Sequence, residues 1–493
     1  MTDAAAPVPD LSGIPASIPA TDPLAPYDAV LLLSYGGPRR PEDVLPFMRN
    51  ATAGRGVPDS RLLEVSGHYQ GFGGASPINA RNAELRDALQ ARLTERGSTL
   101  PVVVGNRNWH PFVSQALREL ANTGARHVLA LPTAAFGSYS GCRQYREDLA
   151  GAAALLAAGA DGSTGDGFEA DAAARVGGEG GAPVDLTVDK TRPYYNTPGL
   201  LEANVDAIVE AYGALAEQGV AAADVRLVLV THSIPLGMET SSAPTPESDG
   251  ASESAGAGQP AGRPAGPREP GVAADLSTEV SYVAQHRALA AILVPEVARR
   301  LGLEEVESDL VYCSRSGPPQ ARWLEPDVND HLEALAAGQL IDGSPADRPG
   351  GVVVAPFGFI SDHMEVVFDL DTEAAQTARD LGMPYARAAT VGTHPAFVDS
   401  LVDILIERAA VARGEDVHPA STTGVGPFHT VCPPSCCRSG THHPGRHSRH
   451  GADGATHESA VGHQPAAGGS CRPASVEPES LKPASCGRMK EKR

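Results

Sequence analysis

A histidine placed directly after a buried strand and a row of carboxylates four residues apart are the residue types a proton-and-metal reaction needs. His232 lies in Val230-Thr231-His232-Ser233-Ile234-Pro235, where an apolar run gives way to a loop broken by proline. In open α/β sheets, strand ends of this kind present functional groups. The acidic row lies in Ser361-Asp362-His363-Met364-Glu365-Val366-Val367-Phe368-Asp369-Leu370-Asp371-Thr372-Glu373. If this segment is helical, Glu365, Asp369 and Glu373 share one face. Like charges at that spacing cost about 0.2–0.5 kcal/mol per pair, so helix stability does not account for them. Each feature also has a plainer explanation. His232 can be a loop histidine satisfied by backbone, and Asp362 can cap a helix with Glu365 as its reciprocal partner. Taken together they suit chemistry: a neutral imidazole accepts protons near pH 7, and a carboxylate row receives them or delivers a divalent cation.

The elements that must position these residues are legible as apolar runs alternating with amphipathic stretches. Candidate strands are Ala29–Leu33, Val102–Gly105, His127–Leu131, Val184–Val188, Val225–Val230, Asp309–Tyr312 and Val352–Pro356. Helical patterns fall at Ala80–Arg96, Pro111–Asn122, Leu200–Gln218, Ser277–Leu301, Val328–Ala337 and Pro395–Ala412. Buried strands separated by helices predict an α/β fold of two doubly wound, Rossmann-like lobes with mostly parallel sheets and a cleft between them. The expected boundaries are a disordered N-terminus at 1–26, a first lobe at 27–195 with a flexible insertion at 158–183, and a second lobe at 196–412 with a disordered insertion at 239–275. A cysteine-containing segment at 413–437 and a disordered His-rich tail at 438–493 complete the chain.

Bulk composition narrows the function. Of 493 residues 42% are hydrophobic, enough for a core, and the net charge of -21 opposes binding to nucleic acid or anionic lipid. No apolar run approaches the roughly 20 residues of a membrane span. The Ala/Pro-rich stretch 1–26 lacks the basic and apolar regions of a secretory signal, so a cytoplasmic enzyme is expected. Five of the seven cysteines lie beyond residue 430, which suits metal ligation better than a disulfide framework. Cys142 with Cys432, Cys436 and Cys437 makes four thiolates, the complement of a 2Fe-2S cluster. A zinc site or reactive tail thiols are the alternatives. Cys313 reads as a buried small residue, and Cys471 and Cys486 carry no assignment. His442, His443, His447 and His450 make the tail either a transient metal reservoir or low-complexity decoration.

Metallation of a porphyrin removes two N–H protons as Fe(II) enters, which is the chemistry sketched above. The chain resembles the ferrochelatase family in order over roughly residues 27–412. The resemblance is carried by Leu31-Leu32-Leu33-Ser34-Tyr35-Gly36-Gly37-Pro38, Gly73-Gly74-Ala75-Ser76-Pro77-Ile78, Thr231-His232-Ser233-Ile234-Pro235, Gly317-Pro318-Pro319 with Trp323-Leu324-Glu325-Pro326-Asp327, and Phe357-Gly358-Phe359-Ile360-Ser361-Asp362-His363-Met364-Glu365. It implies that His232 and Glu365 face each other across the porphyrin as catalytic residues that also meet the incoming Fe2+. Asp369 and Glu373 then form an outer proton or metal path. It further implies that Tyr35 approaches the ring centre from the opposite face, as an axial phenolate, and that Ser76 and Tyr145 bind propionates. Arg55 is a further candidate anchor.

Some members of the family carry a 2Fe-2S cluster with one ligand from the first lobe and three near the C-terminus, like the cysteines here. Tyr35, the absence of a membrane-seeking lip and the cysteine arrangement resemble the actinobacterial type, which converts coproporphyrin III to coprohaem. Protoporphyrin IX is the alternative substrate, and a non-catalytic haem or iron carrier the alternative role. A nucleotide-binding protein shares the fold class, but no glycine-rich phosphate motif follows any strand. The resemblance also suggests a monomer that touches neighbouring haem-pathway enzymes transiently.

Overall fold

Two parallel sheets of four strands form the frame. The computed structural model describes residues 21–159, 182–242, 281–315, 321–433 and 436–438. The two expected insertions and the His-rich tail lie almost wholly outside the described residues, as does Gly317-Pro318-Pro319. In the first lobe β1 (Ala29–Ser34), β2 (Val102–Asn106), β3 (His127–Pro132) and β4 (Thr187–Lys190) take the order β2-β1-β3-β4. In the second, β5 (Val225–His232), β6 (Ser308–Cys313), β7 (Gly351–Ala355) and β8 (Tyr385–Arg387) take the order β6-β5-β7-β8. Every described pairing is parallel. The doubly wound architecture expected from the strand–helix alternation is therefore present in both lobes.

Helices α1 (Val44–Thr52), α2 (Asp59–Gly71), α3 (Ile78–Glu95), α4 (Val113–Asn122) and α5 (Gln144–Ala157) precede β4. They are followed by α6 (Pro198–Glu217), α7 (Leu236–Ser241), α8 (Tyr282–Leu301), α9 (Val328–Ala336), α10 (Ala375–Asp380) and α11 (Pro395–Ala412). Strand alternation sorts the core. Leu31 and Leu33 of β1 pack with Val113 and Leu117 of α4, whereas Val30 and Leu32 pack with Leu85 and Leu89 of α3. The second of these cores continues through Leu227, Leu229 and Val353 of the other lobe and is closed by Leu401 and Leu405 of α11. The lobes thus share one back wall, and truncating a buried leucine there costs about 2–5 kcal/mol. No helix among the described residues is long and apolar enough to cross a membrane.

Several details depart from expectation. Residues 21–26 are ordered: Leu24 is fully buried, and Asp22 accepts the Leu24 and Thr99 N–H groups. One apolar anchor and one turn-forming aspartate suffice, although the surrounding Ala/Pro composition hides them. α7 extends to Ser241, into the segment expected to be disordered. The outer members of the acidic row, Asp369 and Glu373, lie in a π-helix, Val366–Ala374, not an α-helix, and Glu365 stands at its N-cap. Asp362 does not cap it, because its carboxylate is taken by Arg387 at 3.2 Å and Thr390 at 3.1 Å.

Candidate active site

β5 is buried from Leu227 to Thr231, and three contacts hold its end, Thr231 and His232, in place. Thr231 Oγ1 lies 2.8 Å from both the Tyr282 hydroxyl and His286 Nε2, and Tyr282 donates to the His232 carbonyl at 3.2 Å. Gly358 packs so closely on this strand that a Cβ there would sit 2.1 Å from Thr231 Oγ1. Only glycine fits, so the turn leading to the acidic segment is locked against the histidine strand. His232 Nδ1 bonds the Ser233 carbonyl, which assigns its proton to Nδ1 and turns Nε2 towards Glu365 Oε1, 3.4 Å away. The other Glu365 oxygen is 2.9 Å from His363 Nε2. Each carboxylate oxygen therefore has its own imidazole, and His232 and Glu365 are direct neighbours on one lobe rather than groups facing each other across a porphyrin, as the resemblance had implied.

Burial pulls the His232 pKa down, but the charge and hydrogen bond of Glu365 outweigh it and raise the value above the ordinary one. Burial likewise pushes Glu365 up, yet His232 and His363 hold it well below the usual carboxylate range. The result is an imidazole of strengthened basicity beside a carboxylate that keeps its charge. Asp369 comes next on the π-helix, accepting a hydrogen bond from Ser314, a non-glycine residue held at φ 63°. Burial pushes Asp369 up to about 7, with Glu365 and Glu373 adding to the shift and Ser314 opposing it. Glu373 is at the surface, raised by burial against the charge of His68. The row is graded, from a charged inner carboxylate through one that titrates near neutrality to an outer one in solvent.

The first lobe offers different groups. Tyr35 follows β1 and is 38% exposed. Burial of the rest of its ring raises its phenol pKa, Arg107 and Arg55 oppose this, and Glu365 adds to it. Arg107, just after β2, holds its guanidinium 4.5 Å from the Tyr145 ring and 5.8 Å from the Tyr35 ring, and pairs with Asp148. Ser76 is buried against Gly37, with its N–H on the Pro38 carbonyl. Arg55 is exposed between α1 and α2. α2 reaches across to the second lobe: His68 stacks on Phe368 of the π-helix at 4.0 Å and 11°, and Phe72 meets the same ring edge-on. His363, Ser314 and Arg107 were not singled out from sequence. The signal available was position, since Arg107 and Ser314 both lie just past the carboxyl end of a parallel strand.

The four cysteines form a second, separate group. Cys142 sits in a π-turn, Tyr139–Arg143, opened by Ser138, whose Oγ accepts the Gly141 N–H. The segment after α11 crosses back to the first lobe, where Phe428 packs on Gly137 so closely that a Cβ would lie 2.6 Å from the ring. It delivers Cys432, Cys436 and Cys437 to the cavity that Cys142 lines with Arg143, Arg146 and Lys190. Cys436 Sγ and Cys437 Sγ are 3.7 Å apart, and the five described cysteines are free thiols. Hydrogen bonds from Cys432 and Cys437 drive Cys142 well below the usual thiol value, with Lys190 helping. Among the described residues no three His, Cys, Asp or Glu side chains are arranged to hold a metal ion. The donor chemistry nonetheless fits a thiolate-bound group: four sulfurs meet at one cavity, and a lysine ammonium reaches one of them.

A family model described as Ferrochelatase matches residues 27–409. A coproporphyrin III ferrochelatase of Streptomyces griseus is 42% identical over 413 residues, covering 84% of this chain and 94% of the relative. One from Streptomyces coelicolor is 42% identical over 433 residues, covering 87% and 97%. A protein of Rhodopirellula baltica named only ferrochelatase is 37% identical over 414 residues, covering 84% and 94%. The chain belongs to the ferrochelatase family.

Proposed function

We propose that the protein inserts Fe(II) into coproporphyrin III, forming coprohaem and releasing two protons, as a cytoplasmic monomer in haem synthesis. The observation that carries the reading is Glu365 held between two imidazoles, His232 at 3.4 Å and His363 at 2.9 Å, on the lobe opposite Tyr35. Two N–H protons must leave the ring, and this cluster has the acceptors for them. His232 Nε2 takes a pyrrole proton, Glu365 stabilises the imidazolium formed, and Asp369 and Glu373 pass protons outward or iron inward. Arg55, Ser76 and Tyr145 anchor propionates from the first lobe, and Tyr35 approaches the metal from that side. The names of the two Streptomyces relatives favour coproporphyrin, and protoporphyrin IX is the competing substrate.

Cys142, Cys432, Cys436 and Cys437 would hold a 2Fe-2S cluster. Bound there, it supplies a one-electron couple and ties the C-terminal segment to the first lobe. The deciding experiment is an anaerobic assay of Fe(II) insertion into coproporphyrin III and protoporphyrin IX with wild type and His232→Ala. Preference for coproporphyrin and loss of turnover in the variant are expected. An equally active variant removes the role given to His232, and preference for protoporphyrin replaces the substrate.

A further inference from the structure

Lys190 is a cation placed among sulfurs. It ends β4, and its Nζ donates to Cys142 Sγ at 3.3 Å and to the Thr191 carbonyl at 2.7 Å. The adjacent carboxylate, Asp189, is engaged elsewhere. Tyr27 donates to it at 2.8 Å, His127 Nε2 lies at 3.2 Å, and Arg408 from α11 pairs with it at 2.8 Å. No ion pair joins Lys190 to a carboxylate among the described residues. A half-buried ammonium that faces sulfur and no carboxylate is unfavourable, and neutral thiols are weak acceptors that do little to offset it. The arrangement makes sense when the sulfurs carry negative charge.

The other two cations of the cavity act differently. Arg143 donates to the Cys436 carbonyl at 3.0 Å, and Arg146 to the Cys432 and Pro433 carbonyls at 3.3 and 3.2 Å. They grip the backbone of the cysteine segment, whereas Lys190 addresses a ligand atom. Hydrogen bonds and charges at ligand sulfurs set the potential of an iron–sulfur group, because reduction adds a negative charge that a nearby cation stabilises.

We infer that Lys190 is the charge partner of the cysteine-bound cluster, raising its one-electron potential through the hydrogen bond to the Cys142 sulfur. The inference rests on the cluster reading above, and the two fail separately. Full-length wild type is first purified anaerobically and its iron and acid-labile sulfide are measured. Iron and sulfide in equal amount are expected; their absence overturns the cluster, and the role of Lys190 with it. The midpoint potential is then read by redox titration, following the electron paramagnetic resonance signal of the reduced cluster. Lys190→Met should lower it so that the reduction equilibrium shifts about tenfold or more, roughly 59 mV for one electron, while Lys190→Arg and Arg146→Met stay closer to wild type. An unchanged potential in Lys190→Met overturns the inference. If Lys190→Met folds, by circular dichroism, but loads no cluster, recovery of loading in Lys190→Arg supports the charge role. Loss of loading in both variants overturns it.

Discussion

The two lobes repeat one scaffold and fill it with opposite chemistry. Both sheets run second-first-third-fourth, and in both the first strand ends at the inner site, with Tyr35 after β1 and His232 at the end of β5. In both, the third strand leads into a π-helical element, Tyr139–Arg143 after β3 and Val366–Ala374 after β7. Such elements are rare and cluster at functional sites. After the first strand the first lobe puts Tyr35 and the second His232, after the second strand Arg107 and Ser314, and beside the π-helical element that follows the third strand Tyr145 on one side and Glu365 with Asp369 on the other. An aromatic and cationic wall therefore faces a basic and acidic one. Under the proposed function a flat, anionic macrocycle between them would meet cations on one side and proton acceptors on the other, with strand order setting position and the residues at strand ends setting the task.

The largest expected effect tests this division directly. Glu365→Gln removes the charge that strengthens His232 and leaves both imidazoles without their shared anion. Its turnover in anaerobic Fe(II) insertion should fall by about 10²–10⁴-fold, the range for general acid–base groups. Tyr35→Phe should stay within about tenfold of wild type, since the first lobe supplies no proton acceptor in this reading. Equal damage from the two changes would mean that the lobes share the chemistry.

Stability should divide the lobes too. Arg107 is 6% exposed and paired with Asp148, itself 27% exposed, and it orders both tyrosine rings. Arg107→Met leaves the carboxylate without its partner and should cost about 3 kcal/mol in urea unfolding, the lower end for a broken buried pair. Adding Asp148→Asn should recover part of that. No recovery would show that packing on the rings, not charge, is what Arg107 provides.

How much of this was legible depends on whether a feature leaves a trace in residue type. The central strands did, because Leu31–Leu33 and Val352–Val354 are buried on both faces. β4 begins at Thr187, three residues after the start of the Val184–Val188 run that suggested it, because it is a half-exposed edge strand whose pairing is set by β3. β8 has three residues, too few for a pattern. α2 buries only Leu62, so it shows no apolar stripe, and α1 carries Pro46 in its first turn. The acidic row was legible but its helix type was not, since carboxylates four apart align in either geometry while the i→i+5 bonding is a backbone property. His363 escaped notice because residues two apart do not face each other within a helix. It precedes the helix, where the backbone lets it turn back to Glu365.

A pH series separates the graded row from the first lobe. Asp369 rises from 3.8 to about 7 on folding, so between those values the folded protein holds a proton that the unfolded chain has released. Its contribution to stability is fully present below pH 4 and is lost as pH rises through about 7. Asp369→Asn removes that dependence. The variant's advantage in thermal unfolding should grow between pH 5 and pH 8, reaching about 1–2 kcal/mol after allowance for partial solvent access. An advantage that is flat with pH would place Asp369 in a more open setting.

The smallest effect concerns the aromatic contact between α2 and the π-helix of the other lobe. His68 and Phe72 of α2 meet Phe368 on the outer side of the π-helix, in line with the acidic row. α2 lies between Gly54 and Gly56 on one side and Gly73 and Gly74 on the other, all in the left-handed region that glycine adopts freely. Its own small core, Val44, Phe47, Met48 and Leu62, is separate from the shared back wall. An aromatic pair of this geometry is worth about 0.5–1.5 kcal/mol. A double-mutant cycle with His68→Ala and Phe368→Leu should return a coupling in that range, and limited proteolysis near Gly54 and Gly73 should quicken in either single variant. A coupling near zero with unchanged proteolysis would leave α2 anchored by its own core alone. The π-helix would then gain no hold on α2 from this stack, and the macrocycle itself would have to couple the two elements.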